Sequence, residues 1–245
     1  MTDAELAAFL AQEAGRMLLV LQQSGQYSGK DLGDEGDRIA NDFLMGMLRM
    51  RRGSDGMLCE EEKDNLRRLD AERVWIIDPL DGTREFSEGR GDWAVHVALA
   101  VKGEPVVGAV ALPGLGLLLR SDLPIWVPPA PERLRMVVSR SRPAAEAMAV
   151  ASALDAEVIP MGSAGAKAMA VVRGEADIYL HSGGQFEWDS CAPVAVALAH
   201  GLHASRIDGS PLVYNQRDTY LPDLLICRRD HADTVLQTLS RVHPG

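Results

Sequence analysis

The stretch "WIIDPLDGTREF", residues 75–86, holds an apolar run that ends in two aspartates three positions apart, Asp78 and Asp81. Carboxylates this close disfavour each other's charge unless a cation offsets them. Pro79 fixes its own backbone angle and biases Asp78 toward an extended conformation. Gly82 permits a tight turn and lets another group approach the backbone closely. Asp78, Asp81 and the Leu80 carbonyl can then point hard oxygens at one place, a donor set that suits Mg²⁺. The cation in turn makes the acidic cluster favourable. Thr83 follows as the start of a helix. Its amide and that of Gly82 suit a phosphate oxygen, and its hydroxyl can position a water.

Two further acidic segments have a matching character. "CEEE", residues 59–62, follows a short apolar run, and Glu60 is the residue placed to reach the same site. Glu61 to Asp64 read as a solvated charge run. "FEWDSCAPVAVALAHG", residues 186–201, puts Asp189 at a helix start, where an aspartate can also serve as a simple cap. Carboxylates from three separate segments are how a two-metal site is assembled.

Working outward, helical spacing begins at Asp3, with Thr2 and Glu5 as a capping box and Leu6, Leu10, Ala14, Met17 and Leu21 as its apolar face. A loop rich in Gly and Ser follows, then a second helix over about 38–51. Strands are expected at 57–59, 73–77, 94–101, 105–112 and 134–139. The second half alternates: helix near 143–153, strand 157–159, helix 164–172, strand 176–181, helix from 188 to 200, strands 203–206 and 224–228, and a last helix over 232–242. The stretch 122–134 contains four prolines and resists both helix and sheet, so it reads as the connection between two parts. The expected division is 1–128, carrying most metal ligands, and 129–245, carrying Asp189 and substrate contacts.

The 245 residues are 47% hydrophobic, enough for a substantial core. Lys and Arg number 25 against 35 Asp and Glu, a formal charge of −10, and no basic stripe appears. That balance argues against a duplex nucleic-acid binder. Cys59, Cys191 and Cys227 are isolated, which points to a reducing cytoplasm without a disulfide frame or zinc site. The N-terminal segment reads as neither a signal peptide nor a membrane span.

"LCEEE", "WIIDPLDGTREF" and "WDSCAP", in that order, resemble the signatures of the inositol monophosphatase superfamily. "DPLDGTREF" is most similar to its CysQ-type branch, and "GSAGAKAMAV" (162–171) and residues 203–227 reinforce the likeness. The resemblance implies an α/β fold layered α/β/α/β/α. It implies a Mg²⁺-dependent, lithium-sensitive phosphatase with two or three ions, acting in sulfate assimilation on the 3′-phosphate of 3′-phosphoadenosine 5′-phosphate (PAP) to give AMP. Inositol 1-phosphate and fructose 1,6-bisphosphate are alternative substrates. A non-catalytic nucleotide-binding protein is the alternative of another class.

By the same resemblance, Glu60, Asp78, Asp81, Asp189 and the Leu80 carbonyl hold metal. Thr83 and Glu60 activate the attacking water, and Asp37 sits near it, although the usual threonine ahead of Asp37 is missing. Gly82, Thr83, Arg84, Gly162, Ser163, Lys167, His181 and Asp189 are the expected substrate contacts, with Lys167 toward the 5′-phosphate. The implied partner is a small phosphate ester rather than nucleic acid or membrane, and a homodimer is compatible.

Overall fold

The computed structural model of the protein describes residues 1–242. Two helices lead, α1 (Asp3–Ser24) and α2 (Gly29–Arg52). Five strands follow, β1 (Gly56–Cys59), β2 (Arg73–Asp81), β3 (Ala94–Val101), β4 (Glu104–Leu112) and β5 (Leu117–Arg120), with the short α3 (Thr83–Ser87) after β2. The second half runs β6 (Arg135–Ser139), α4 (Ala145–Ala153), β7 (Glu157–Met161), α5 (Ala164–Val172), β8 (Ile178–Phe186), α6 (Glu187–Ala199), β9 (His203–Ser205), β10 (Tyr220–Cys227) and α7 (Ala232–Val242).

The strands form two mixed sheets, ordered β1-β2-β3-β4-β5 and β7-β6-β8-β10-β9. Alternation along β2 and β3 decides what covers the first sheet. Trp75, Ile77, Val95, Val97 and Leu99 join the core beneath α1 and α2. Val74, Ile76, Ala94, Ala98 and Ala100 join the core shared with α5 and α6. Small residues on α5 and α6 let both helices lie between the sheets. A third core, with Ala147 and Val150 of α4 and Val235 and Leu239 of α7, covers the far face of the second sheet. The layering is therefore α/β/α/β/α. The stretch 121–134 contains no helix or strand and carries the chain from one sheet to the other, while the middle core draws residues from both halves.

The Thr2–Glu5 capping box forms as expected. α2 differs from expectation: it begins at Gly29, well before residue 38, so the glycine-rich loop is largely helical. Its glycines serve close packing. A Cβ on Gly36 would meet Phe86 at 2.8 Å and Leu80 at 3.0 Å, and one on Gly33 would meet Ser87 Oγ at 2.6 Å. β5 was not expected from the pattern, being a four-residue edge strand. β8 runs on through Gly183 and Gly184 to Phe186, past the expected end at residue 181. No helix among the described residues is long and apolar enough to cross a membrane.

Candidate active site

The register of β2 against β3 creates the site. Asp78 pairs with His96 and Asp81 with Ala94, so three steps on β2 match two on β3. In a regular strand, residues three apart face opposite sides. The extra residue of this bulge, at Pro79–Leu80, returns Asp81 to the face Asp78 occupies. Both aspartates then point into the middle layer, while Leu80 packs on the other side with Phe86.

α6 brings the third acid. Oxygens of Asp78, Asp81 and Asp189 all lie within 4.8 Å of one another. Asp189 also caps its helix, accepting the Phe186 amide at 2.7 Å on Oδ2, so the cap role and the cluster coexist. Asp81 is held by the N-terminus of α5. The Ala164 amide donates to Oδ1 at 3.0 Å, and the Gly165 amide (2.6 Å) and the Ser163 hydroxyl donate to Oδ2. His96 Nε2 stands 3.2 Å from Oδ2.

Electrostatics separate the acids. Asp78 is pushed well above the usual carboxylate range by burial, then by Glu60, Asp81 and Asp189. Asp189 is raised to about 6, chiefly by burial and then by Asp81. Glu60 is raised to about 8 by burial, then by Asp189, Glu61, Asp81 and Asp37. Burial also pushes Asp81 up, but His96, Ser163 and the Gly165 amide together hold it below the ordinary value. Three oxygen donors, two buried and one half-buried, that desolvation and mutual repulsion leave short of positive charge fit a hard divalent cation. Glu60 stands near enough to be perturbed but lies outside the tight trio.

The helical run ahead of Asp37 brings it against Thr83. The Thr83 hydroxyl lies 3.1 Å from the Leu80 carbonyl and 3.4 Å from Asp37 Oδ1. Asp37 is raised to about 7, by burial first and then by Glu61. Gly82 takes φ = 92° at the cap of α3.

A cavity of about 480 Å³ opens beside the acids. Gly82, Arg84, Gly162, Ser163, Lys167, His181 and Asp189 all line it, together with Ser139, Ser141 and Arg142, which sequence reasoning missed. Several of the expected contacts are already engaged. The Ser163 hydroxyl accepts the Ala166 amide as well as donating to Asp81. The Gly162 amide donates to Asp92 at 2.8 Å. Lys167 is buried, with its ammonium on the Gly162 and Ser163 carbonyls. His181 Nε2 donates to the Gly183 carbonyl at 2.7 Å. Arg84 pairs with Glu88 at 3.0 Å. Arg142 makes no ion pair among the described residues, and a lone exposed arginine before a proline gave no signal in the sequence. Phe186 stacks on Trp188 with ring centroids 4.9 Å apart and meets Tyr220 edge-on. Phe186 and Tyr220 are both exposed. A second cavity of similar volume lies by Cys59 and contains none of the expected contacts.

Comparison with known proteins identifies the family. The inositol monophosphatase family model matches residues 2–123 and 132–243. A curated 3′-phosphoadenosine 5′-phosphate phosphatase of Mycobacterium leprae is 50% identical, over 99% of this chain and 95% of that protein. One of Mycobacterium tuberculosis is 51% identical, over 93% of this chain and 90% of that protein. The crystal structure of CysQ from Bacteroides thetaiotaomicron superposes with a TM-score of 0.79 at 25% identity, covering 92% of this chain and 97% of that one. The chain belongs to the inositol monophosphatase family.

Proposed function

We propose that this enzyme is a metal-dependent phosphomonoesterase that removes the 3′-phosphate of PAP, releasing AMP and inorganic phosphate. The observation that carries this reading is the 50–51% identity, over nearly the whole chain, to curated proteins named for that activity. The cavity beside the acids supports it. A bisphosphate needs a cation for the phosphate that stays as well as a site for the one that leaves, and Arg142 and Lys167 line the same cavity as Asp81 and Asp189. We assign the retained 5′-phosphate to Arg142 with Ser139 and Ser141, and the purine to the exposed Phe186 face beside Gly184 and Gln185.

Asp78, Asp81 and Asp189 would hold Mg²⁺, with Glu60 and the Leu80 carbonyl supplying oxygens for a second or third ion. When bound, Mg²⁺ supplies the Lewis acidity that neutralises the transferring phosphoryl group and eases loss of a proton from water. The chain's own groups contribute position and proton handling. The Thr83 hydroxyl donates toward Leu80 or Asp37, leaving its lone pairs to orient the attacking water. Glu60, beside the cluster, takes the proton of that water. The N-termini of α5 and α6 direct their positive ends at the site, which favours the anionic ester. Water adds to phosphorus as the P–O3′ bond breaks, and the 3′-oxygen takes a proton from a second water molecule and leaves as a hydroxyl. We place the enzyme in the cytoplasm, in keeping with three buried free thiols.

Phosphate release from PAP, inositol 1-phosphate and fructose 1,6-bisphosphate, each with Mg²⁺ and with EDTA, tests the reading. The expected result is the highest kcat/KM on PAP and no turnover in EDTA. Better turnover of inositol 1-phosphate would overturn the substrate, and no Mg²⁺-dependent turnover of any ester would leave a nucleotide-binding protein.

A further inference from the structure

His96 is the one histidine among the described residues with a wholly buried side chain, and it stands on β3 at the heart of the site. It is the cross-strand partner of Asp78, and its Nδ1 lies 4.0 Å from Asp78 Oδ2. Nδ1 is 3.1 Å from the Trp188 carbonyl. A carbonyl only accepts, so Nδ1 carries the proton of that bond. Trp188 directly precedes Asp189. On its other side the ring meets Asp81, Nε2 to Oδ2 at 3.2 Å. That nitrogen makes no aligned hydrogen bond, and it attracts the carboxylate only when it too carries a proton. The surroundings are built to admit the ring: a Cβ on Gly165 would overlap Nε2, and the Gly165 amide binds the same Oδ2.

One imidazole thus touches a carboxylate from the first sheet and the backbone that carries a carboxylate from α6. We propose that His96 is a positioning residue that holds Asp81 and the start of α6 at fixed separation, and so sets the spacing of the Asp78–Asp81–Asp189 cluster. Its side chain is wholly buried, so it acts through these partners. The proposal rests on the reading of that cluster as a divalent-cation site. The histidine acts on the ligands from behind, as supporting partners do in metal centres, where their loss typically costs about 10–100-fold in metal affinity. A merely structural histidine would instead lower the melting temperature and leave cation binding alone.

The test is Mn²⁺ binding to metal-free protein, followed by electron paramagnetic resonance, with no substrate present. His96→Leu fills the space but removes both nitrogens. The expected result is Mn²⁺ affinity weakened by about 10–100-fold, with the KM for PAP unchanged at saturating metal. His96→Gln keeps a side-chain N–H and should recover part of the loss. Should His96→Leu not fold, His96→Asn takes its place, because its shorter side chain reaches only one partner. Wild-type Mn²⁺ affinity in a folded Leu or Asn variant overturns the proposal. Asp189→Asn separates the two ideas. If it weakens Mn²⁺ binding and the His96 variants do not, only the positioning role fails. If Asp189→Asn has no effect either, the cation reading fails with it.

Discussion

Asp78 and Asp81 stand three positions apart on one strand and share one face, because β2 holds one residue more than β3 between their pairing partners. The bulge converts an ordinary strand end into a pair of converging carboxylates. Asp81→Asn keeps the shape of the side chain and removes the charge. The expected result is a loss of Mg²⁺-dependent phosphate release greater than the ~100-fold that a supporting residue can cost, with an unchanged circular dichroism spectrum. Unaltered turnover would remove Asp81 from the metal ligands.

The Thr83 hydroxyl lies between Leu80 and Asp37, and its assigned task is to orient water. Thr83→Ala should lower kcat by about 100-fold or more, the range typical of positioned proton-handling groups, while KM for PAP holds steady. Thr83→Ser should restore most of kcat. A rise in KM with kcat intact would instead make Thr83 a binding residue.

Arg142 lines the cavity and makes no ion pair among the described residues. Arg142→Ala removes a charge-assisted contact worth about 1.5–3 kcal/mol, so KM for PAP should rise by roughly tenfold or more. Any residual hydrolysis of inositol 1-phosphate, which has no second phosphate, should be unaffected. Equal losses on both substrates would place Arg142 at the reacting phosphate.

Gly36 brings α2 against Phe86 and Leu80. Gly36→Ala gains helix propensity of about 1 kcal/mol but forces a methyl into occupied space, at about 1–3 kcal/mol. Chemical denaturation should show net destabilisation. A more stable variant would mean that Phe86 shifts freely.

Asp177 is fully buried and joins β6 to β10, bonded to Arg135 Nε at 3.1 Å and Arg228 Nε at 2.8 Å. Burial pushes its carboxyl up, but the two guanidiniums outweigh that and hold it below the ordinary value. A depressed carboxyl contributes stability that is fully present above its unfolded pKa, near 3.9, and lost as pH falls through the lower folded value. Asp177→Asn should therefore cost about 3 kcal/mol at pH 7, and the gap to wild type should narrow below pH 4. A gap constant down to pH 2 would exclude the ion pairs as its source.

Much of this was legible because the chemistry is local. The α1 cap, β3, α5 and α7 follow from period and punctuation, and the acids announced themselves through Pro79 and Gly82. What was not legible depends on partners distant in sequence. Gly33 and Gly36 look like loop residues until α3 lies against them, and only then does the early start of α2 make sense. Their spacing with Leu32 and Ala40 was the available signal. His96 alternates with apolar neighbours like any strand residue, and only the arrival of Trp188 and Gly165 gives it a task. Ser163 lines the cavity, and the engagement of its hydroxyl by Asp81 and Ala166 shows only once α5 lies against β2.

The grip of Ser163, Ala164 and Gly165 on Asp81 bears on how the enzyme can be divided. An N-terminal fragment would carry Asp81 without the Ser163, Ala164 and Gly165 donors, and a C-terminal fragment would present those donors with no carboxylate to hold. Neither piece is a weaker catalyst in its own right. Hydrolysis begins only when the two are reunited, so fragment complementation would register as the recovery of turnover from none.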